Sequence, residues 1–127
     1  MTQRTIVITG ASDGIGAAAA RRLNRSGDNV VVVGRSESKT KGVAAELGAD
    51  YFVADFADLT QVRAVADKIR SEYPRIDVLA NNAGAMCREL DITADGYEKT
   101  YQVNYLAPFL LTTQLMDVLV ESRAIVV

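Results

Sequence analysis

Histidine is absent from the 127-residue sequence. Its absence removes the commonest general base and the commonest metal ligand, and with them every Ser-His-Asp arrangement. A single cysteine, Cys87, leaves no intrachain disulfide and no thiolate cluster, so no metal is expected. No apolar run approaches the ~20 residues that cross a bilayer. Met1 leads almost directly into a strand rather than into a leader segment, and Arg21-Arg22 falls inside a helical stretch, where it reads as surface charge. Excess charge of one sign is lacking too. The 14 basic and 16 acidic residues give a net charge of −2, which offers no footprint for nucleic acid or an anionic membrane. A cytoplasmic protein without nucleic-acid or membrane partners is expected. Repeats, linkers and low-complexity segments are also missing. What remains, 49% apolar and 24% charged, has the composition of one compact domain over residues 1–127.

Short β-branched runs alternate with helical stretches along the chain. Thr5 to Ile8 is an apolar run closed by Gly10. Residues 15–26 carry Ile15, Ala19 and Leu23 at i, i+4 and i+8, with Gly27 as the expected C-cap. Val30 to Val33 forms a second strand; Val43, Ala44 and Leu47 mark a helix ended by Gly48. Tyr51 to Val53 is a third strand, followed by a helix over 59–72 that Pro74 stops. Ile76 to Ala80 is a fourth strand. A long helix is expected from about Gly96 to Val120, and Ile125 to Val127 begins a fifth strand. In that helix Leu106, Leu110, Leu115, Met116 and Leu119 read as core and subunit contacts rather than a substrate pocket. Strands apolar on both faces, alternating with helices, predict an α/β doubly wound parallel sheet.

Thr9-Gly10-Ala11-Ser12-Asp13-Gly14-Ile15-Gly16 lies between the first strand and the first helix. Its spacing is G-x-x-x-G-x-G, and it lacks the Gly-Lys-Ser/Thr of a P-loop. Gly10 permits a tight turn off the strand, Gly14 lets backbone approach a pyrophosphate at the positive helix N-terminus, and Gly16 lets the helix pack close to the sheet. Turn chemistry alone is the competing reading. Asn81-Asn82-Ala83-Gly84 follows the fourth strand and Asp55 follows the third, both at the carboxyl edge where open α/β sheets bind ligands. For Asn81 and Asn82 the alternative is local strand-end capping, which is expected of Asn81 in any case. For Asp55 it is an N-cap, a job for which Asp58 competes.

These motifs, with Asn104 in the long helix, resemble the short-chain dehydrogenase/reductase family over residues 4–127. The stretch TADGYEKTYQVNYLAPFLLT, Thr93 to Thr112, resembles its retinol-dehydrogenase-like branch. The resemblance implies a Rossmann fold, and the family's sheet continues past a fifth strand, so this chain would be truncated after it. It implies that Gly10, Ser12, Gly14, Ile15 and Gly16 hold a cofactor pyrophosphate. It further implies that Asp55 accepts from the adenine amino group and that Asn82, Ala83 and Gly84 lie beside the adenosine and nicotinamide ends. A carbonyl or alcohol substrate and a homo-oligomer are implied too. Asn104 would organise a water in the proton relay. Pro108, at i+4, supplies no N–H to the Asn104 carbonyl, unless it marks a plain kink.

In dinucleotide folds an acid at the end of the second strand favours NAD. Here the strand ends Val33-Gly34-Arg35-Ser36, and the planar fork of Arg35 suits a 2′-phosphate. An exposed loop arginine is the alternative, and Glu37 speaks for NAD. NADP is expected, with NAD possible. The family's general acid is a tyrosine with a lysine four residues on. Tyr51, Tyr73, Tyr97, Tyr101 and Tyr105 are followed at that spacing by Asp55, Asp77, Tyr101, Tyr105 and Phe109. The family's serine would follow the fifth strand, beyond Val127. The expectation is an oxidoreductase whose cofactor half is this chain, inactive alone; a nucleotide-binding sensor module or an inactive fragment is the alternative.

Overall fold

The computed structural model describes residues 3–127 and builds them into one parallel sheet with helices on both faces. Met1, on which the expectation of no leader rests, lies outside the described residues. The strands are β1 (Thr5–Thr9), β2 (Asn29–Gly34), β3 (Asp50–Val53), β4 (Val78–Ala80) and β5 (Ile125–Val126), ordered β3-β2-β1-β4-β5. This is the doubly wound Rossmann arrangement. The chain runs outward one way through β2 and β3, then returns to the other side of β1 with β4. The crevice at that reversal is where such sheets take ligands.

Both faces of the sheet are apolar because both are covered. Ile6, Ile8, Val30 and Val32 pack with Ala17, Ala20 and Val43 of α1 (Gly14–Arg25) and α2 (Glu37–Leu47). On the other face, Val7, Val31 and Val33 meet Val62 and Ile69 of α3 (Leu59–Glu72) and Leu111 of α5 (Ala107–Gln114). Each fully buried aliphatic side chain stabilises by about 1.5–3 kcal/mol. No described helix is long and apolar enough to cross a membrane.

Three expectations are corrected. Ile15 is not on the core stripe of α1 but 82% exposed. The buried face is Gly16, Ala17 and Ala20, because small residues let the first turn close onto the end of β1. The long helix does not begin at Gly96, which sits at φ +87 in a turn whose N–H donates to the Thr93 carbonyl. It begins with α4 (Lys99–Tyr101), capped by the Glu98 carboxylate on the N–H groups of Thr100 and Tyr101. It then widens into a π-helical turn over Gln102–Leu106 before α5, and breaks at Leu115 ahead of α6 (Met116–Glu121). Pro108 follows this turn, so a one-residue bulge stands where a plain kink was the alternative. Asn81 is not a local cap. Its Nδ2 donates to Thr112 Oγ1, 31 residues on, while its buried Oδ1 has no hydrogen-bond partner among the described residues. In the helical run Leu115 and Leu119 are core, Leu110 packs on its margin, and Met116 faces outward.

Candidate functional site

A cavity of about 560 Å³ opens at the carboxyl ends of β1, β2 and β4. Gly10, Ser12, Gly14, Ile15, Arg35, Asp55, Asn82, Ala83 and Gly84 all line it. Segments spread over most of the sequence therefore converge on one crevice. Gly16 and Asn104 are not in its lining; both stand behind it and shape it.

The glycine loop is held from two directions. Asn82 Nδ2 donates to the carbonyls of Thr9 and Gly10, and Ala83 N–H donates to Thr9 Oγ1. Gly10 adopts φ +64, and a Cβ there would stand 2.7 Å from Ala83 Cα. A Cβ on Gly16 would stand 2.2 Å from the Gly10 carbonyl oxygen, which is why no other residue lets α1 start so close to the strand. Gly14, at φ +53, has nothing within 4 Å of where a methyl would stand and leaves the approach to the α1 N-terminus open. Asp13 caps that terminus through Gly14 N–H at 2.8 Å. A backbone cradle at a positive helix end fits a pyrophosphate.

At the β3 end, Asp55 Oδ1 accepts from Ala57 N–H, while Asp58 caps α3 through Thr60 N–H. Asp58 thus takes the capping job, as its competition with Asp55 implied. Its carboxyl is held below the usual range by the Thr60 hydroxyl and the Gln61 amide. Asp55 itself lines the cavity.

Asn104 grips the loop after β4 rather than facing the cavity. Its Oδ1 accepts from Ala85 N–H and its Nδ2 donates to the Ala85 carbonyl, both at 2.8 Å. The π-helical turn sends Ala107 N–H to the Gln102 carbonyl, and residue 108 has no N–H to offer the carbonyl of Asn104.

Sequence reasoning missed several lining residues. Lys39 stands on the same rim as Arg35, 3.6 Å from the Asp13 carboxylate. Its position is set by Ser36, whose hydroxyl accepts from Lys39 N–H at the start of α2. The signal was legible as a serine cap followed three residues later by a cation. Gly34 was also missed: a Cβ there would meet Thr40 Oγ1 at 2.3 Å and Ser12 Cβ at 2.9 Å. Only tertiary packing gives that glycine its purpose. Glu37 lies outside the cavity lining.

A Rossmann sheet with a glycine cradle at its switch point defines a dinucleotide-binding class of fold. The sequence profile described as short chain dehydrogenase matches residues 4–127, and the chain belongs to that family. A Streptomyces protein named as a daunorubicin C-13 ketoreductase is 47% identical over 128 residues, 96% of this chain and 45% of that protein. Mouse retinol dehydrogenase 12 is 37% identical, over 94% of this chain and 40% of its own length. A short chain dehydrogenase from Escherichia coli CFT073, solved in complex with NADPH, superposes with a TM-score of 0.81 at 31% identity, covering 96% of this chain and 55% of that one. The chain spans less than half the length of these two curated relatives.

Proposed function

We propose that the cavity binds a nicotinamide dinucleotide, NADP in preference to NAD, and that the gene product passes hydride between it and a carbonyl or alcohol substrate. One observation carries the reading: the glycine loop, the Asp55 segment and Asn82–Gly84 line a single cavity with Arg35 and Lys39 on its rim. An acid at the tip of β2 would favour NAD; two cations favour a 2′-phosphate. The relatives' names, a ketoreductase and a retinol dehydrogenase, point to a ketone or an alcohol, and a solved neighbour holds NADPH.

When bound, the cofactor supplies or accepts the hydride. The chain's own residues bind and orient. The glycine loop and the α1 N-terminus take the pyrophosphate through Gly10, Ser12, Gly14 and Ile15, with Gly16 holding the loop closed. Asp55 accepts from the adenine amino group, and Asn82, Ala83 and Gly84 form the floor toward the nicotinamide. Asn104 holds that floor through Ala85, and its main-chain carbonyl retains a water of the proton relay.

The test is binding by the full-length gene product. Arg35→Ala should weaken NADPH by about 1–3 kcal/mol, the range of a charge-assisted hydrogen bond, and leave NADH almost unchanged. Equal losses for both cofactors would assign Arg35 a structural role. A nucleotide-binding module without chemistry is the alternative; within residues 1–127 no tyrosine is followed four residues on by lysine. Residues 1–127 alone should accordingly give no NADPH-dependent carbonyl reduction above background. Turnover lost on changing one of the five tyrosines would show the general acid to lie within them.

A further inference from the structure

Gln102 is the one side-chain amide in this structure that is wholly buried, with a relative exposure of 0% among the described residues. It faces neither solvent nor the cavity, yet every hydrogen bond it makes reaches another segment. Its Nε2 donates to the Phe56 carbonyl at 3.1 Å and to Asp95 Oδ2 at 3.0 Å. Its Oε1 accepts from Thr93 Oγ1 at 2.6 Å. Asp95 Oδ2 also accepts from Leu59 N–H, the first residue of α3, at 2.9 Å. One amide therefore joins the segment after β3, the loop ahead of α4 and the helix that carries Asn104.

The neighbours of these atoms give the network its meaning. Phe56 follows Asp55, and both line the cavity; Val103 follows Gln102 and lines it too. A buried amide costs desolvation that an aliphatic residue would avoid, and returns directional bonds that fix one arrangement. Leucine would fill the core without specifying where the Phe56 carbonyl sits. The loops after β1 and β4 are held by separate bonds, from Asn82 to Thr9 and Gly10 and from Asn104 to Ala85.

We propose that Gln102 is a positioning residue for the adenine half of the site, setting the Asp55–Phe56 wall against the helix that bears Val103 and Asn104. This rests on the dinucleotide reading above. The consequence is selective. Loss of the bond to Phe56 lets the Asp55 segment drift, while the nicotinamide floor keeps its own supports.

The experiment uses the full-length gene product and three probes: NADPH, adenosine 2′,5′-bisphosphate and nicotinamide mononucleotide. Gln102→Leu is expected to weaken the first two at least tenfold, at temperatures where the variant stays folded, and to change the third less than twofold. Thr93→Val separates positioning from stability. It removes one bond to the same buried amide but leaves the bond to the Phe56 carbonyl. A lowered melting temperature with adenine-nucleotide affinity kept in Thr93→Val, beside the selective loss in Gln102→Leu, supports the proposal. Affinity that falls in step with stability in both variants, or equal losses for all three probes, overturns it. Wild-type protein that binds no NADPH or NADH overturns the dinucleotide reading and this inference together; wild-type binding with unselective losses overturns this inference alone.

Discussion

Gly16 and Gly42 both lie within helices, but an added methyl would meet opposite surroundings. At Gly16 it would stand 2.2 Å from the Gly10 carbonyl oxygen and 2.5 Å from the Asn82 amide, so α1 would have to lift off the strand. At Gly42, in the middle of α2, nothing lies within 4 Å. Gly16→Ala should destabilise by about 1–3 kcal/mol, as overpacking does, and should also open the cavity. Gly42→Ala should stabilise by about 0.4–1 kcal/mol, by narrowing the unfolded ensemble. Denaturant midpoints of the two variants decide the matter; shifts of the same sign would contradict these packing distances. From the sequence only Gly16 had a motif to single it out.

The elements are tied together by carboxylates whose titration predicts the pH response. Asp77, just ahead of β4, accepts from Thr5 N–H at the start of β1 and pairs with Arg75. Its carboxyl is held below the usual range, chiefly by that backbone bond. Glu98 is lowered by the N–H groups it caps at α4, and Asp28 by its hydrogen bond from Arg4. Groups lowered in the folded state contribute stability above the ordinary carboxylate range and lose it as pH falls through their depressed values. Tyr73, at the end of α3, moves the other way. Burial raises its hydroxyl above the ordinary value near 10, helped by its hydrogen bond to Asp50 on β3. Its contribution is present below that ordinary value and is lost as pH climbs toward the raised one. Melting temperature should therefore be level between about pH 5 and 9 and fall on both sides. Tyr73→Phe keeps the edge-on packing against Phe52 and should flatten only the alkaline fall. An unchanged alkaline limb in that variant would mean that another group sets it.

Across the molecule, exposed apolar side chains include a stripe on the last helical run and the edge strand β5. Tyr101, Tyr105 and Phe109 stack along the outer face of the last helical run, with Tyr105 58% and Phe109 60% exposed. Among the described residues β5 pairs only with β4, and its Ile125 and Val126 are exposed. A groove of about 470 Å³ beside it is lined by Ile6, Ile8, Leu23 and Val78. Unpaired strand edges next to apolar surface recruit other strands. A polypeptide of residues 1–127 should therefore self-associate at micromolar concentration, as size-exclusion chromatography with light scattering would reveal. A monodisperse monomer that unfolds cooperatively would show that the edge protects itself.

The order of strands and helices, the parallel sheet and the motif residues of the cavity lining were legible in the amino-acid sequence. Those features follow from local rules: β-branched runs buried on both faces, glycines where backbone must turn, and capping residues at helix starts. Even Asp58, four residues before Val62, was legible as the cap that leaves Asp55 beside the cavity. What each motif residue touches emerged only from the folded chain. Ile15 has helical spacing but overhangs the end of the sheet, so it is exposed. Asn81 sits in a strand-end motif, yet its partner is Thr112 on a helix far along the chain. Gly96 resembles the start of a helix, although its left-handed turn delays that start to Lys99. Gln102 had no local signal at all. Its burial and its bonds to Phe56, Thr93 and Asp95 exist only once three segments have met, and periodicity carries no information about contacts between segments.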